Sequence, residues 1–364
     1  MTSTTALLTV LRAAGRADVP VLLWGPPGSG KSALVTTLGR IDGLHTETVI
    51  GSLREPADLA GLPVVQDDGS VALAAPRWAR ALCEAGGGYL FLDELSTASP
   101  AVQAAMLRVA MDKVVGDLPL PAGTRIVAAA NPADVAAGGW ELEPPTANRF
   151  CHLTHQPDLE VFSDGLTGGF DRATSRRDTT VLRNGDAADR ARATAQVVGF
   201  LRARPHRFND CPTDTAMAGG AWPSPRTWHH LQRLLAFVPE DDAEARRAAA
   251  AGLVGEGPAL EFLTWVRHSD LPDPALVLDG ELALDPSARD DQLFALLSGV
   301  AAVAINRATA KAWLAAWEVL RAAPVDIAAV AARTLFTARP DDAAIPDAVL
   351  DFAPLLRKAG LLTS

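Results

Sequence analysis

The fold is decided by one stretch of sequence, Gly25-Pro26-Pro27-Gly28-Ser29-Gly30-Lys31-Ser32, which fits the phosphate-loop pattern G-x-x-x-x-G-K-[ST] in full. An apolar run from Val19 to Trp24 precedes it, and a helix-compatible stretch from Ala33 to Leu38 follows it. Glycines let backbone N–H groups curl around phosphates at a helix N-terminus that already favours negative charge. We expect Lys31 to reach the terminal phosphates and the Ser32 hydroxyl to ligate Mg²⁺, so the sequence predicts a site for a nucleotide and Mg²⁺.

Composition narrows the class of protein. The 364 residues suffice for two or three domains, and 48% hydrophobic with 21% charged residues is an ordinary globular balance. The net charge of −10 argues against a broad electrostatic hold on nucleic acid. Three widely spaced cysteines without a C-x-x-C pair fit a reducing compartment, and no cysteine or histidine spacing fits zinc. We therefore expect the histidines to be structural or solvated.

Hydropathy predicts no membrane segment. No charged-then-apolar signal opens the chain, and the longest apolar candidate, Leu296 to Ile305, has only the length of a buried core helix. We expect a soluble, cytoplasmic protein without a membrane partner.

Short apolar strands alternate with helical patterns up to about residue 155, which is typical of a parallel sheet covered by helices on both faces. The fold class predicted is thus α/β, a phosphate-loop nucleotide hydrolase sheet followed by helical regions. Two insertions are predicted as hairpins, one around Asp67-Asp68-Gly69 and one through Val114–Leu120. The candidate strands are Val19–Trp24, Glu47–Ile50, Tyr89–Leu92, Ile126–Ala130 and Cys151–Leu153.

The remaining chain divides by composition. Residues 1–160 form the predicted α/β core, and residues 161–184, rich in Gly, Asp, Arg and Thr without a clear period, are predicted to be a linker or loop. Helical patterns follow in residues 185–240 and in the C-terminal region 241–364.

A second motif is the apolar strand Tyr89-Leu90-Phe91-Leu92 ending in Asp93-Glu94. A parallel strand buried on both faces would place Asp93 at its C-terminal edge, beside the phosphate loop. There Asp93 can hold Mg²⁺ through its water shell, since Mg²⁺ takes few protein ligands. Glu94 would orient and deprotonate the water that attacks the γ-phosphate.

Two further polar residues stand at strand ends. Asn131 follows the strand Ile126–Ala130 and could position the same water, although Asn-Pro is also a common turn starter. Arg149 precedes another apolar strand and offers a rigid charged fork suited to a γ-phosphate, although taken alone it reads as a surface arginine.

The order and spacing of these motifs resemble the AAA+ ATPases. The two hairpins and the run Gly51-Ser52-Leu53-Arg54 through Asp58-Leu59-Ala60-Gly61 are similar to the MoxR-like group, related to the dynein-type AAA_5 family. Trp222-Pro223-Ser224-Pro225-Arg226-Thr227 resembles that group's second-sensor segment, at the start of a lid helix, which makes 185–240 the expected lid.

The resemblance implies a role for each matching residue. Gly25–Ser32 becomes the Walker A loop, Asp93 and Glu94 become Walker B, and Asn131 becomes sensor 1. Arg149 becomes the arginine finger and Arg226 becomes sensor 2. The family often has Asp before the finger, where this chain has Asn148, which leaves the orientation of Arg149 open.

The resemblance also implies an assembly, because in such proteins the finger reaches the nucleotide of a neighbouring subunit. We expect a homo-oligomeric ring, usually a hexamer, and a lone subunit that is a poor ATPase. An arginine finger is worth about 10³–10⁵ in rate in other phosphoryl-transfer systems.

Three functions remain open at this stage. The leading expectation is an ATP-driven ring that remodels or assembles a client protein, in the MoxR-like group often one with a von Willebrand A domain. The second is a slow nucleotide-dependent scaffold or switch. The third is a nucleic-acid motor of the restriction or defence type, against which the acidic charge argues.

Overall fold

The computed structural model describes residues 2–132, 142–269 and 271–362, and these divide into two compact units. The first unit comprises Met1–Leu182, Cys211–His230 and Val238–Glu256. The second comprises Arg183–Asp210, Leu231–Phe237 and Gly257–Ser364. Each unit is described separately below.

A five-stranded parallel sheet forms the centre of the first unit. Its strands are β1 (Val21–Trp24), β2 (Thr46–Ile50), β5 (Gly88–Asp93), β8 (Thr124–Ala130) and β9 (Cys151–Thr154), and their order in the sheet is β2-β5-β8-β1-β9. Its strands are the short apolar runs that the sequence predicts, because side chains buried on both faces suit a parallel sheet covered by helices. The order sets β1 between β8 and β9, so that the carboxyl ends of neighbouring strands meet at one edge. Two hairpins lie outside this sheet, with the strands β3 (Leu62–Val65), β4 (Val71–Ala74), β6 (Val114–Val115) and β7 (Leu118–Pro119).

Helices pack against this sheet through the apolar residues of their inner faces. Helix α5 (Pro100–Asp112) begins as the sequence predicts. Ser99 accepts a hydrogen bond from Val102 N, and Pro100 is at the first helical position. It buries Val102, Met106 and Val109. The helices of this unit are α1 (Thr4–Ala17), α2 (Lys31–Asp42), α3 (Pro56–Ala60), α4 (Arg77–Glu84), α5 (Pro100–Asp112), α6 (Pro144–Ala147), α7 (Leu159–Gly168), α8 (Phe170–Arg177), α10 (Thr215–Ala218) and α12 (Ala243–Val254), and α11 (Pro225–Leu235) begins in it.

The second unit is helical, as the sequence predicts for the C-terminal region. Its core is built around Trp313, Trp317 and Phe352, all almost fully buried. The Trp313 and Trp317 rings meet edge to face with centroids 5.6 Å apart, a preferred aromatic geometry. Its helices are α9 (Ala187–Ala203), α13 (Glu256–His268), α14 (Pro274–Leu278), α15 (Asp290–Arg307), α16 (Ala310–Arg321), α17 (Val325–Thr337) and α18 (Ala353–Lys358). The predicted α/β fold class with following helical regions is therefore confirmed.

The prediction of a loop over 161–184 is wrong for its first part, which contains most of α7 and all of α8. Asp158 caps α7 by accepting hydrogen bonds from Glu160 N and Val161 N. Gly165 is needed there because a Cβ would lie 2.3 Å from the Phe170 ring. The glycine that suggests a loop in the sequence therefore serves the packing of two helices.

The compact units do not follow the sequence-based division at residues 184 and 240. Residues 211–230 and 238–256 pack with the sheet, because α12 lies against α1 and β9. Gly252 permits this approach, since a Cβ there would lie 2.4 Å from the carbonyl oxygen of His152. Among the described residues, no helix combines the length and apolar character needed to cross a bilayer.

Candidate nucleotide site

The loop between β1 and α2 has the backbone of a phosphate cradle. Gly28 and Gly30 have φ of 75° and 92°, in the region that favours glycine, and Gly30 immediately precedes α2. Gly25 N donates to Ala130 O at 3.3 Å, which ties the loop to the end of β8. A Cβ on Gly25 would lie 2.8 Å from His155 O, so only glycine fits there. The free N–H groups at the start of α2 can then receive an anion.

Lys31 is buried against this loop with its ammonium group held at three points. Its Nζ donates to Gly25 O at 2.6 Å, to Pro26 O at 3.1 Å and to Asn131 Oδ1 at 2.9 Å. Burial lowers the pKa of Lys31, and the charges of Asp93 and Glu94 oppose that shift. The structure therefore brings Lys31 and Asn131 together. Asn131 N in turn donates to Ser96 Oγ at 3.3 Å.

The two residues predicted to hold the metal lie side by side. Ser32 Oγ donates to Asp93 Oδ2 at 2.7 Å across the gap between α2 and the end of β5. A hydroxyl and a carboxylate oxygen are the hard donors that Mg²⁺ prefers, and two protein ligands leave room for phosphate oxygens and water. The donor set therefore fits Mg²⁺. The described residues contain no cluster of three His, Cys, Asp or Glu side chains suited to another metal site.

Glu94 is held in an uncommon conformation. Its φ of 58° is left-handed, which costs a non-glycine residue of the order of 1 kcal/mol or more. Its N–H donates to Asp93 Oδ1 at 2.9 Å, and its Oε2 accepts a hydrogen bond from Ser52 Oγ. Ser52 is a site residue to which the sequence reasoning assigned no role, although it lies in the Gly51–Arg54 run that carries part of the family resemblance.

Arg149 follows α6 and is half-buried. Its Nη1 donates to Pro145 O at 2.6 Å, and among the described residues the guanidinium makes no ion pair. Arg226, the second residue of α11, is exposed and makes no hydrogen bond or ion pair within the described part of the chain. The structure thus joins neither arginine to the Lys31–Asp93 group.

Asn148 links the two arginine-bearing segments. Its Nδ2 donates to Trp222 O at 3.1 Å, and its Oδ1 accepts from Ser224 Oγ at 2.7 Å. This use of both ends of an amide explains why the chain has Asn at this position.

Two histidines have structural roles at the site. The sequence predicts histidines that are structural or solvated, and it does not place these two beside the phosphate loop. His155 Nε2 donates to Ser29 O at 2.9 Å, and the ring nitrogen must carry a proton because a carbonyl only accepts. Burial chiefly lowers the pKa of His155, and the Lys31 charge lowers it further. His155 is therefore neutral at pH 7 and supports the phosphate loop from the end of β9.

His152 joins the start of the loop to the turn before Arg149. Trp24 Nε1 donates to His152 Nδ1 at 2.9 Å, and His152 Nε2 donates to Ala147 O at 2.8 Å. Burial lowers the pKa of His152 to about 4, so the ring stays neutral in this arrangement. Neither histidine could be found from a motif, because the Trp24–His152 and Ser29–His155 contacts each join residues more than 100 positions apart.

Part of the chain is similar to known proteins. Residues 20–150 match the model of the AAA domain, dynein-related subfamily. Over 131 residues the chain is 34% identical to the Psp operon transcriptional activator of Escherichia coli (strain K12), a match that covers 33% of this chain and 39% of that protein. The chain thus spans about two fifths of the length of this relative.

A crystal structure from Cytophaga hutchinsonii, described provisionally as that of an ATPase, is also similar. It shares 17% identity and a TM-score of 0.41, covering 73% of this chain and 80% of that chain. The family match and the geometry of the loop, the Asp93 carboxylate and the sheet concern the same part of the chain: residues 20–150 are similar to the AAA domain of the dynein-related subfamily.

Proposed function

We propose that this chain binds ATP with Mg²⁺ at the carboxyl edge of the sheet and hydrolyses it in a homo-oligomeric ring. One observation carries the proposal: Lys31, Ser32, Asp93 and Asn131 are joined in pairs, Lys31 to Asn131 at 2.9 Å and Ser32 to Asp93 at 2.7 Å, beside a glycine-rich loop at a helix N-terminus. This is the set of groups that a Mg²⁺-bound triphosphate requires.

Each group then has a defined task. The N–H groups of Gly25–Ser32 bind phosphate oxygens, and Lys31 exchanges its loop carbonyls for the terminal phosphates. Ser32 and Asp93 would hold Mg²⁺, which supplies positive charge to the phosphate oxygens when bound. Asn131 and Glu94 orient the attacking water, and Glu94 accepts its proton after leaving Ser52.

The proposal assigns Arg149 to the nucleotide of a neighbouring copy. Within the described chain its guanidinium has one backbone carbonyl as partner, which leaves most of its five donors available. We propose the same availability for Arg226 as the second sensor, and the ring that both arginines imply is usually a hexamer in similar proteins. A single copy would then lack the charge that stabilises the transition state.

For the work done by the ring, we propose remodelling or assembly of a client protein, with a von Willebrand A domain protein as the first candidate. The Ser52–Glu94 hydrogen bond favours a second candidate, a slow switch, because it occupies one oxygen of the proposed base until a partner or nucleotide releases it. The Escherichia coli relative is a transcriptional activator by name, which keeps a nucleic-acid-linked role open, but the charge of −10 weighs against it.

Mixing two inactive variants tests the shared site. Lys31→Ala removes nucleotide binding but leaves the arginines, whereas Arg149→Ala leaves the nucleotide pocket but removes the arginine. Each variant alone should release phosphate at least about 10³-fold more slowly than the wild type. In a mixture, Lys31→Ala copies can supply Arg149 to the pockets of Arg149→Ala copies, so turnover should return.

The matched control is a mixture of Lys31→Ala with Lys31→Ala/Arg149→Ala, in which no pocket can bind ATP and no turnover should return. A mixture of Lys31→Ala and Arg149→Ala that stays silent, while both proteins bind each other in sedimentation, would contradict a shared site. An Arg149→Ala protein that turns over as fast as the wild type would contradict the role of the arginine altogether.

A further inference from the structure

The amide of Asn148 has an unusual position, because it is buried and both of its ends are bound by one distant segment. Asn148 is 4% exposed, and Ser224 and Thr227 beside it are 5% and 1% exposed. The amide donates to Trp222 O at 3.1 Å and accepts from Ser224 Oγ at 2.7 Å. A buried polar side chain satisfied at both ends fixes the relative position of the two segments that it joins.

The segment that receives Asn148 is itself rigid and leads directly into the helix of Arg226. Ser224 N donates to Thr227 Oγ1 at 2.8 Å, and Thr227 N donates back to Ser224 Oγ at 3.2 Å. This reciprocal pair closes the first turn of α11 in the manner of a capping box. Thr227 Oγ1 also donates to Trp222 O at 3.1 Å, so the same carbonyl receives Asn148 and Thr227.

The other side of Asn148 is fixed just as closely. Ala147 O, one residue earlier, accepts from His152 Nε2 at 2.8 Å, and Arg149 N, one residue later, donates to Thr146 O at 3.1 Å. The turn that carries Arg149 is therefore anchored to β9, and Asn148 is the side chain that reaches from this turn to α11.

Only an amide meets both demands. Asp at this position could accept from Ser224 but could not donate to Trp222 O, and its charge would face that carbonyl in a buried place. Ser or Ala would not span the gap. The departure from the Asp that similar proteins often have is thus explained by the carbonyl of Trp222.

We propose that Asn148 is a positioning residue that fixes the backbone of Arg149 relative to the backbone of Arg226. Both guanidinium groups can then serve the same nucleotide pocket of a neighbouring copy. This inference rests on the proposed function. Two points go beyond that function: Arg226 acts across the same interface as Arg149, and one buried amide sets the geometry of both arginines.

The test uses the restored turnover of Lys31→Ala mixed with Arg149→Ala, in which the first copy is the arginine donor and the second the acceptor. Asn148→Asp or Arg226→Ala in the donor copy should lower the restored turnover about tenfold or more, because misplacing a catalytic group by about 1 Å can cost 10²-fold. The same changes in the acceptor copy, whose own arginine is already removed, should leave turnover within about twofold. ATP affinity of the acceptor should not change in either mixture.

The acceptor-copy mixture is the control for folding, because a merely structural role would lower turnover equally in both positions. Ser224→Ala in the donor, a milder change, should give part of the same loss, and combining it with Asn148→Asp should add little, as expected for two residues in one contact. The inference is overturned if the donor-copy change has no effect, or if Arg226→Ala acts only in the acceptor. No restored turnover in the parent mixture would instead refute the proposed function.

Discussion

The neutral, largely buried ring of His152 leads to a prediction about stability in acid. The ring accepts from Trp24 Nε1 and donates to Ala147 O, and protonation would turn the accepting nitrogen into a second donor facing the indole N–H. Burial lowers the pKa of His152 from its usual 6.5 to about 4. The change His152→Phe keeps a ring and removes the titration.

The sign follows from which state takes up the proton first. Below pH 6.5 the unfolded chain binds a proton at this histidine while the folded chain does not, so the free energy of unfolding falls as the pH falls. The loss is complete near the folded pKa of about 4. At about 1.4 kcal/mol per pKa unit this amounts to about 3 kcal/mol, reduced toward about 2 kcal/mol because the residue keeps some exposure to solvent.

The assay is urea unfolding at a series of pH values between about 7 and 4 for the wild type and for His152→Phe. Phe leaves Ala147 O and Trp24 Nε1 without their partner, which lowers stability by a constant amount of about 1–3 kcal/mol at all pH values. The difference between the two proteins should therefore shrink by about 2–3 kcal/mol as the pH falls.

The control is His229→Phe at an exposed position. It measures how much the exchange of a histidine ring for a phenyl ring changes the free energy of unfolding by itself. A difference between wild type and His152→Phe that stays constant from neutral to acid pH would show that the ring is not held neutral. A neutral His152 ring would then not connect the phosphate loop to the Arg149 turn.

Three further changes test individual contacts of the site. Glu94→Gln should lower phosphate release about 10²–10⁴-fold while ATP binding, followed by titration with a fluorescent analogue, stays intact; loss of both would contradict a role in the chemical step. Ser52→Ala removes the hydrogen bond that holds one carboxylate oxygen of Glu94, so basal turnover should rise about threefold, and a fall would mean that Ser52 orients Glu94 productively. His155→Ala should weaken ATP binding about fivefold, and His155→Gln, which can still donate to Ser29 O, should weaken it less; equal effects would exclude that hydrogen bond as the cause.

The sequence predicted those parts of the fold that local chemistry determines. A complete phosphate-loop pattern, four apolar residues before Asp93, and Pro100 after a capping Ser99 each specify local structure without help from distant residues. The strands and both hairpins were therefore predicted within a few residues of their bounds. The contacts of Lys31 with Asn131 and of Ser32 with Asp93 then follow from the order of the strands.

The rest depended on tertiary packing that no local pattern reports. Ser52 meets Glu94, and His155 meets Ser29, only because β2 pairs with β5 and β9 pairs with β1. Helices α7 and α8 were missed because Gly165 and its polar neighbours resemble a loop until the Phe170 ring is placed against them. Asn148 was noticed as a departure from a family pattern, but its reason lies in a carbonyl 74 positions away.

The contact between α12 and β9 has a consequence for anyone who would isolate residues 20–150, which match the AAA domain model. Strand β9 ends the sheet, and an uncovered end strand offers its backbone to strands of other molecules, which leads to aggregation. The helix that lies against this strand, through Gly252, belongs to a stretch about 100 residues downstream of the matched family domain. A fragment cut at the end of the family match would lose both β9 and its cover, and insolubility of such a fragment would reflect where the cut was made and not the stability of the nucleotide site.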